Sequence, residues 1–205
     1  MACSCADKWS TTILASRQGL TWKHARADDR DSIEKFISSG GCGSTSIDKF
    51  AKNELLSNSE QRYSNTFLLL NSSGELVGFV SNAMATIPMD ANDMMDRNMI
   101  PVESVPVLFL HRLAVHHKHH GKGVGHLLVW RVFEALEHSC THCSASAVAL
   151  LVEDSNERAK KLYASLAFEK IGIKGKKKEG KELHIAPYDS AIKWVQNIDA
   201  MASQA

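Results

Sequence analysis

Apolar residues occur along this chain in short runs bounded by turn residues. Such runs are typical of buried β-strands. The strands predicted from them are 20–27, 66–70, 75–80, 105–115, 145–152, 168–173 and 182–186. The polar turn 71–74 (Asn-Ser-Ser-Gly) separates the second run from the third, which predicts a β-hairpin. The last two strands are predicted to form another hairpin around a lysine-rich turn.

The intervening segments place apolar residues three or four positions apart, which is typical of amphipathic helices. The predicted helices are 31–38, 46–56, 123–140 and 156–166. Residues 86–104 have no clear period and predict a loop or an irregular helix. Strand 105–115, helix 123–140 and strand 145–152 follow one another in the order of a right-handed parallel βαβ unit. The pattern therefore predicts the α/β (α+β) class.

The composition fits one globular domain. The 205 residues are 44% apolar, which is enough for one full core and short for two. The formal net charge of +1 does not mark the chain as a nucleic-acid binder. The cysteines number five, no secretory leader pattern is visible, and no apolar run approaches the roughly 18 residues of a membrane span. These features predict a cytoplasmic location and no membrane partner.

A glycine-rich turn follows the apolar strand that ends at Leu113-Ala114-Val115. We call His120–Gly125 the cradle; Gly121, Gly123 and Gly125 occupy alternate positions in it. Glycines let a backbone approach a phosphate closely, and the N–H groups and positive dipole end of the following helix attract negative charge. The pattern predicts a binding site for the pyrophosphate of a nucleotide-type cofactor.

Two other phosphate-binding motifs fit this spacing less well. A P-loop needs Gly-x-x-x-x-Gly-Lys-Ser/Thr, and here the helix begins Val124-Gly125-His126, without the hydroxyl that reaches a magnesium ion. A dinucleotide fingerprint needs Gly-x-Gly-x-x-Gly and an acidic residue about 20 residues later. In this chain the glycines are each two residues apart, and Cys140, Thr141 and His142 follow the helix.

Two motifs resemble the acetyl-CoA site of the GCN5-related N-acetyltransferase (GNAT) family. The cradle is similar to the family's Gln/Arg-x-x-Gly-x-Gly/Ala, with His120 in place of Gln or Arg. Residues 156–168 are similar to Asn-x-x-Ala-x-x-Leu-Tyr-x-x-x-Gly-Phe, with Ala167 in place of Gly. The resemblance implies a single GNAT-type domain over 20–187, with a mixed central sheet of about six or seven strands, helices on both faces and a splayed strand pair that binds acetyl-CoA. Residues 1–19 are then an N-terminal extension, and 188–205 a C-terminal helix or tail.

The resemblance also implies roles for single residues. Tyr163 is the predicted general acid that returns a proton to the CoA sulfur, which suits a phenol of pKa about 10. His111 is similar to a histidine of arylalkylamine acetyltransferases and is the predicted base, with a structural role left open by strand alternation and with Glu103 and Glu153 as alternative bases. The implied cofactor-binding residues are Leu113, Ala114, Val115, His120, Gly121, Lys122, Gly123, Val124, Gly125, Asn156 and Ala159. Among them, the Val115 N–H is expected to bond the thioester carbonyl and the Asn156 side chain the pantetheine arm.

Three clusters of polar residues have a simpler interpretation than a separate site. The histidines 116, 117, 119 and 120 have no cysteine or carboxylate beside them at ligand spacing, which favours a solvated basic rim over a metal. Residues 138–143 contain one Cys-x-x-Cys without the second pair of a typical zinc site. The lysines of the last hairpin predict a solvated tip, with an RNA phosphate contact as the alternative. No metal is predicted.

The acceptor amine is less constrained by the sequence. Segments 36–40, 47–51, 66–68, 77–79, 105–107 and 112–115 resemble, in this order, the bacterial acetyltransferase toxins that acetylate the amino group of an aminoacyl-tRNA. That resemblance implies tRNA as a partner, together with a homodimer or an antitoxin. Three functions stay open: this toxin-like activity, an acetyltransferase for a small amine or a protein amine, and a non-enzymatic CoA-binding sensor. The low net charge argues against tRNA, whereas Arg112 and the lysine turn favour it.

Overall fold

The computed structural model of the protein describes residues 19–88, 104–140, 142, 144–171 and 180–203. The strands in these ranges are β1 (Thr21–His24), β2 (Asn65–Leu70), β3 (Leu76–Ile87), β4 (Val105–Val115), β5 (Ala147–Glu153), β6 (Glu169–Ile171) and β7 (Lys181–Pro187). The α-helices are α1 (Arg30–Ser38), α2 (Thr45–Asn53), α3 (Leu55–Glu60), α4 (Val124–Ser139), α5 (Glu157–Ala164) and α6 (Tyr188–Ala202). Short 3-10 turns occupy Ala27–Asp29 and His117–His119. Among the helices of these ranges, none has the combination of length and apolar character that crossing a membrane requires.

The strands form one mixed sheet in the order β1-β2-β3-β4-β5-β7-β6. β2 is antiparallel to both β1 and β3. β4 and β5 are parallel, with Val107 opposite Ala147 and Leu110 opposite Leu150. β7 runs antiparallel to β5 and to β6. The structure therefore confirms the mixed α/β class, the seven-stranded sheet, the parallel β4–α4–β5 unit and both hairpins. Most of the lysine-rich turn, at 172–179, lies outside the described residues.

The chain divides into two compact units. The first consists of the described residues within Met1–Ala83, His111–Val132 and Gln196–Ala205. The second consists of those within Met84–Leu110 and Phe133–Val195. β4 and α4 each contribute residues to both units.

The core of the first unit forms where α1, α2 and α3 bury their apolar faces. Ile33 and Phe36 lie three positions apart on α1 and are each 2% exposed, as expected for one buried helical face. The Phe36 ring meets the Phe79 ring of β3 edge-on, with 6.0 Å between centroids, which is a favourable aromatic geometry. Other members of this core are Phe50, Ala51, Leu55, Leu56, Leu68, Leu76 and Ala114.

The core of the second unit is formed by residues of β4, β5, β6 and β7 and of the last part of β3. Successive inward positions alternate along each strand, as a pleated sheet requires. The buried members are Ile87, Val105, Val107, Ala147, Ala149, Ile171, Leu183 and Ile185. This packing explains why 105–115 and 145–152 are recognisable as strands from their apolar character alone.

Three predicted boundaries differ from the structure by three residues or more. The helix predicted over 46–56 is two helices, because Glu54 leaves helical geometry at φ −125° and ends α2 before α3 begins. The strand predicted over 20–27 ends at His24, since the Asp29 carboxylate accepts the Arg26 N–H at 2.9 Å and stabilises a 3-10 turn. β3 extends to Ile87 into the segment predicted as loop, and the part of that segment at 89–103 lies outside the described residues.

Candidate active site

The cradle follows β4 after His116 and the 3-10 turn His117–His119, and it lies in the first unit. Gly121 and Gly123 have φ values of 75° and 79°, in the left-handed region that favours glycine. A Cβ added to Gly121 would meet nothing within 4 Å, so the backbone faces open space at this point. This conformation fits close approach of a phosphate group to the main chain.

The start of α4 supplies the hydrogen-bond donors of the cradle. The first N–H groups of a helix have no carbonyl partner inside that helix. Those of His126 and Leu127 donate to the Gly123 carbonyl at 3.0 Å and 3.2 Å. The N–H groups of Val124 and Gly125 have no partner within α4, and they lie at the positive end of the helix dipole. The arrangement therefore suits an anion at this helix start.

His120 stabilises the cradle from inside. Its ring Nε2 lies 2.8 Å from the Val115 carbonyl, which can only accept, so this nitrogen carries the proton and donates. Its backbone N–H donates to the His117 carbonyl at 3.2 Å. The His120 N–H therefore already has an acceptor within the turn, and a contact between His120 and phosphate stays a prediction.

The ammonium groups of Lys118 and Lys122 form a cationic rim, with Lys118 before the cradle and Lys122 within it. His117, Lys118 and Lys122 are exposed, while His119 is half-buried. Desolvation, and then the neighbouring positive charges, lower the pKa values of His116 and His119. In the part of the chain that the structure describes, no three His, Cys, Asp or Glu side chains are grouped so that they could hold a metal ion.

The end of β4 is packed tightly against β3. Ala114 is buried, and Leu113 and Val115 are half-buried. A Cβ added to Gly78 of β3 would lie 2.6 Å from the Ala114 carbonyl oxygen and 3.5 Å from the Val115 Cα. Glycine at position 78 therefore allows β4 to approach β3 where the predicted cofactor-binding residues begin. Sequence reasoning missed Gly78 because the contact joins residues far apart in the chain.

The parallel pairing of β4 with β5 covers Val107–Leu110 and Ala147–Leu150. β4 itself continues to Val115. The part of β4 that is paired with β5 therefore ends before Leu113, Ala114 and Val115. The resemblance assigns the thioester and pantetheine contacts to these three residues.

His111 begins the part of β4 that belongs to the first unit. Its side chain is exposed, which a proton acceptor for a diffusing substrate requires. Partial desolvation, followed by the Arg112 charge, lowers the pKa of His111. Arg112 donates through Nη1 to the His111 carbonyl at 2.7 Å, and its guanidinium lies 5.2 Å from the centre of the Phe50 ring. Of the alternative bases, Glu153 is exposed at the end of β5 and Glu103 lies outside the described residues.

The remaining predicted site residues belong to the second unit. Asn156 is the N-cap of α5, and its Oδ1 accepts the Ala159 N–H at 3.0 Å. Tyr163 is 7% exposed, and its ring lies 5.5 Å from that of Phe168. Burial raises the pKa of Tyr163 well above its usual range, so the phenol keeps its proton at neutral pH. The role of Tyr163 as the general acid stays a prediction.

Two other predicted features can be placed in part. Cys140 donates weakly to the Ala145 carbonyl, with the sulfur 3.6 Å from the oxygen, and Cys143 lies outside the described residues. Of the lysines in the last hairpin, Lys181 begins β7, and positions 174, 176, 177 and 178 lie outside the described residues.

Comparison with known protein families decides the class of the protein. Residues 40–168, more than half of the chain, match the profile described as Acetyltransferase (GNAT) family. The chain belongs to the GNAT family. Its donor is therefore acetyl-CoA, and it is an N-acetyltransferase.

A curated protein and two solved structures are also similar to this chain. The chain is 32% identical, over 149 residues, to a "tRNA-acetylating toxin" of Mycobacterium tuberculosis, with 70% of this chain and 82% of that protein covered. The solved structure of "AtaT complexed with acetyl-methionyl-tRNAfMet" matches with a TM-score of 0.68 at 19% identity, covering 85% of this chain and 98% of AtaT. An AtaT mutant bound to the antitoxin AtaR and acetyl-CoA matches with a TM-score of 0.63 at 19% identity, covering 84% of this chain and 96% of that one. At these identities the two structures support the fold.

Proposed function

We propose that this GNAT enzyme acetylates the α-amino group of an aminoacyl-tRNA. The observation that carries the proposal is the 32% identity to a tRNA-acetylating toxin over 70% of the chain. The exposed Arg112 and the cationic rim beside the cradle are compatible with a phosphate-bearing acceptor. The acetyltransferase domain is proposed to cover 20–187, and the cytoplasm, where charged tRNA is found, is its proposed location. One of the two AtaT structures contains the antitoxin AtaR, so an antitoxin is the proposed protein partner of this chain.

The cofactor-binding part of the proposal assigns the pyrophosphate to the cradle. Gly121 and Gly123 let the main chain approach the phosphates, and the N–H groups of Val124 and Gly125 donate to them. The Lys122 ammonium adds an exposed positive charge. The Val115 N–H is assigned to the thioester carbonyl, and the Asn156 side-chain NH2 to the pantetheine, because its Oδ1 is already used by the Ala159 N–H.

The catalytic part of the proposal concerns two proton transfers. Bound acetyl-CoA supplies an acetyl group as a thioester, and the acceptor nitrogen takes it as the C–S bond breaks. His111 takes the proton that the amine loses, since the lowered pKa keeps its ring neutral. Tyr163 gives its phenol proton to the departing sulfur. A neutral base and a protonated acid are then both present at pH 7.

The test is transfer of labelled acetyl from acetyl-CoA to a mixture of aminoacyl-tRNAs, run beside a panel of polyamines, arylalkylamines and peptides. Gly123→Glu is the control, because it places a carboxylate in the cradle and a side chain at φ 79°, so it is expected to abolish acetyl-CoA binding and transfer. Label on charged tRNA in wild type, and none in Gly123→Glu, supports the proposal.

The other outcomes select the alternatives. Label on free amines or peptides alone replaces aminoacyl-tRNA with an ordinary amine as the acceptor. Acetyl-CoA binding without transfer to any acceptor favours the non-enzymatic sensor. Transfer by Gly123→Glu at the wild-type rate contradicts the assignment of the cradle.

A further inference from the structure

A histidine that precedes the cradle is bonded to the end of a helix 77 positions earlier in the chain. The Nε2 atom of His116 lies 3.0 Å from the Ser39 hydroxyl, directly after α1. His116 is 5% exposed, although its sequence neighbours form a solvated rim. Both residues belong to the first unit. Burial distinguishes His116 from His117, which is exposed, and from His119 and His120, which are half-buried.

The hydrogen-bond partners determine which ring nitrogen carries the proton. The Ser39 Oγ lies 2.7 Å from the Lys35 carbonyl and 3.1 Å from the Phe36 carbonyl, so its single hydrogen is used by the helix end. The hydroxyl oxygen must therefore accept from His116, and Nε2 is the donor. The other nitrogen, Nδ1, accepts the Lys118 N–H across a longer distance of 3.4 Å. One neutral tautomer satisfies both contacts.

The same tautomer stabilises the turn that leads into the cradle. Nδ1 of His116 caps the 3-10 turn His117–His119, so a proton on this nitrogen would face the Lys118 N–H. Burial, followed by the positive groups of the turn, lowers the pKa of His116 and keeps the ring neutral. The ring also meets the Phe36 ring edge-on, with 5.1 Å between centroids.

Backbone contacts hold the same two segments together. The His116 N–H donates to the Val77 carbonyl of β3 at 2.8 Å, and the His117 N–H donates to the Gly41 carbonyl at 2.9 Å. A Cβ added to Gly40 would lie 2.5 Å from Cε1 of the His117 ring. The connection between α1 and α2 is therefore packed directly against the residues that enter the cradle.

We propose that Ser39 and His116 form a positioning pair that holds the pyrophosphate cradle in its binding geometry. Neither residue touches the cofactor; the pair acts through the turn His117–His119, which His116 caps and which leads directly into His120. The proposal rests on the assignment of the cradle to pyrophosphate. It therefore predicts a defect specific to ligands that carry pyrophosphate.

The experiment compares Ser39→Ala, Ser39→Thr and Ser38→Ala with wild type by calorimetric titration with CoA. Ser38 is the matched control, because its hydroxyl donates to the same Lys35 carbonyl. Ser39→Ala is expected to weaken CoA binding by about two- to tenfold, the loss of one hydrogen bond. Ser39→Thr and Ser38→Ala are expected to bind like wild type. The rate of transfer from acetyl-pantetheine, which lacks pyrophosphate, is expected to be equal in all four proteins.

Each other outcome is also informative. Equal CoA affinity in Ser39→Ala and wild type overturns the pair, as does an equal loss with acetyl-pantetheine, which indicates a general structural defect. Ring ¹⁵N shifts of His116 that report a proton on Nδ1 at neutral pH overturn it as well. A wild-type protein that binds no CoA would instead overturn the proposed use of the cradle, and the pair with it.

Discussion

At the scale of single residues, the predicted role of Tyr163 can be tested by removing its hydroxyl alone. Tyr163→Phe keeps the ring and its contact with Phe168 and deletes only the hydroxyl. If this hydroxyl returns the proton to sulfur, kcat is expected to fall by about 10²- to 10⁴-fold. Acetyl-CoA affinity, measured by titration, is expected to stay at the wild-type value. Full turnover in Tyr163→Phe would show that another group is the acid.

The proposed role of His111 as the base predicts how kcat/KM depends on pH. A base works in its neutral form, which is present above its pKa in the folded protein. Because that pKa is lowered from 6.5, the acid limb of kcat/KM that reports this base is expected below pH 6.5, and it is read after correction for protonation of the acceptor amine. In His111→Gln the rate is expected to be low and this acid limb to vanish. An unchanged acid limb in the variant would assign the base role to another group.

At the scale of secondary structure elements, Asn156 is proposed to serve a helix and the cofactor with different atoms. Asn156→Asp keeps an oxygen for the Ala159 N–H and loses the NH2 group, whereas Asn156→Ala loses both. The alanine variant is expected to lose about 1 kcal/mol of stability, and the aspartate variant to keep it. Both are expected to bind acetyl-CoA more weakly than wild type. Thermal unfolding and CoA titration separate the two roles; wild-type affinity in Asn156→Asp would remove the pantetheine contact.

The contact between β3 and β4 depends on Gly78. An alanine there places its Cβ 2.6 Å from the Ala114 carbonyl oxygen, so one of the two strands has to move. Gly78→Ala is expected to cost about 1–3 kcal/mol of stability, as overpacking does, and to raise the KM for acetyl-CoA. Gly78 does not have the positive φ that disfavours other residues, so the clash is the expected cause of the loss. Gly74→Ala is a contrasting variant, because at φ 78° with nothing within 4 Å of an added Cβ it introduces backbone strain without a clash, and it is expected to leave the KM for acetyl-CoA unchanged. An unchanged KM in Gly78→Ala would show that the end of β4 tolerates displacement.

At the scale of the whole molecule, the net charge is close to zero, but positive side chains are exposed at and beside the cradle. The net charge is +1, while His117, Lys118 and Lys122 are exposed together beside the cradle. If tRNA phosphates bind cationic groups, kcat/KM for aminoacyl-tRNA is expected to fall between 50 and 200 mM salt, on the order of tenfold for two or three phosphate contacts. The same change in salt is expected to affect transfer to an uncharged small amine much less. Equal salt dependence for both acceptors would contradict a phosphate-bound acceptor.

The parts of the molecule that sequence predicts well are those set by neighbouring residues. The turn at Asn71 is one example, since the Asn71 Oδ1 accepts the N–H groups of Ser73 and Glu75, which are two and four residues away. The cradle is another, because its glycines and helix start are consecutive. The bond from Ser39 to His116 and the close approach at Gly78 were not predicted, because periodicity carries no information about residues that only folding brings together.

The position of β7 inside the sheet affects how the protein is made. β7 pairs with β5 over Ala147–Glu153 and with β6 over Glu169–Ile171, although both of these strands leave the ribosome before it. Until Lys181–Pro187 has been synthesised, a nascent chain carries β5 with an unpaired edge and β6 without a partner, and unpaired edges recruit other strands. A message cut before this segment is therefore expected to yield an aggregation-prone polypeptide and no acetyltransferase, so the activity depends on translation through Pro187.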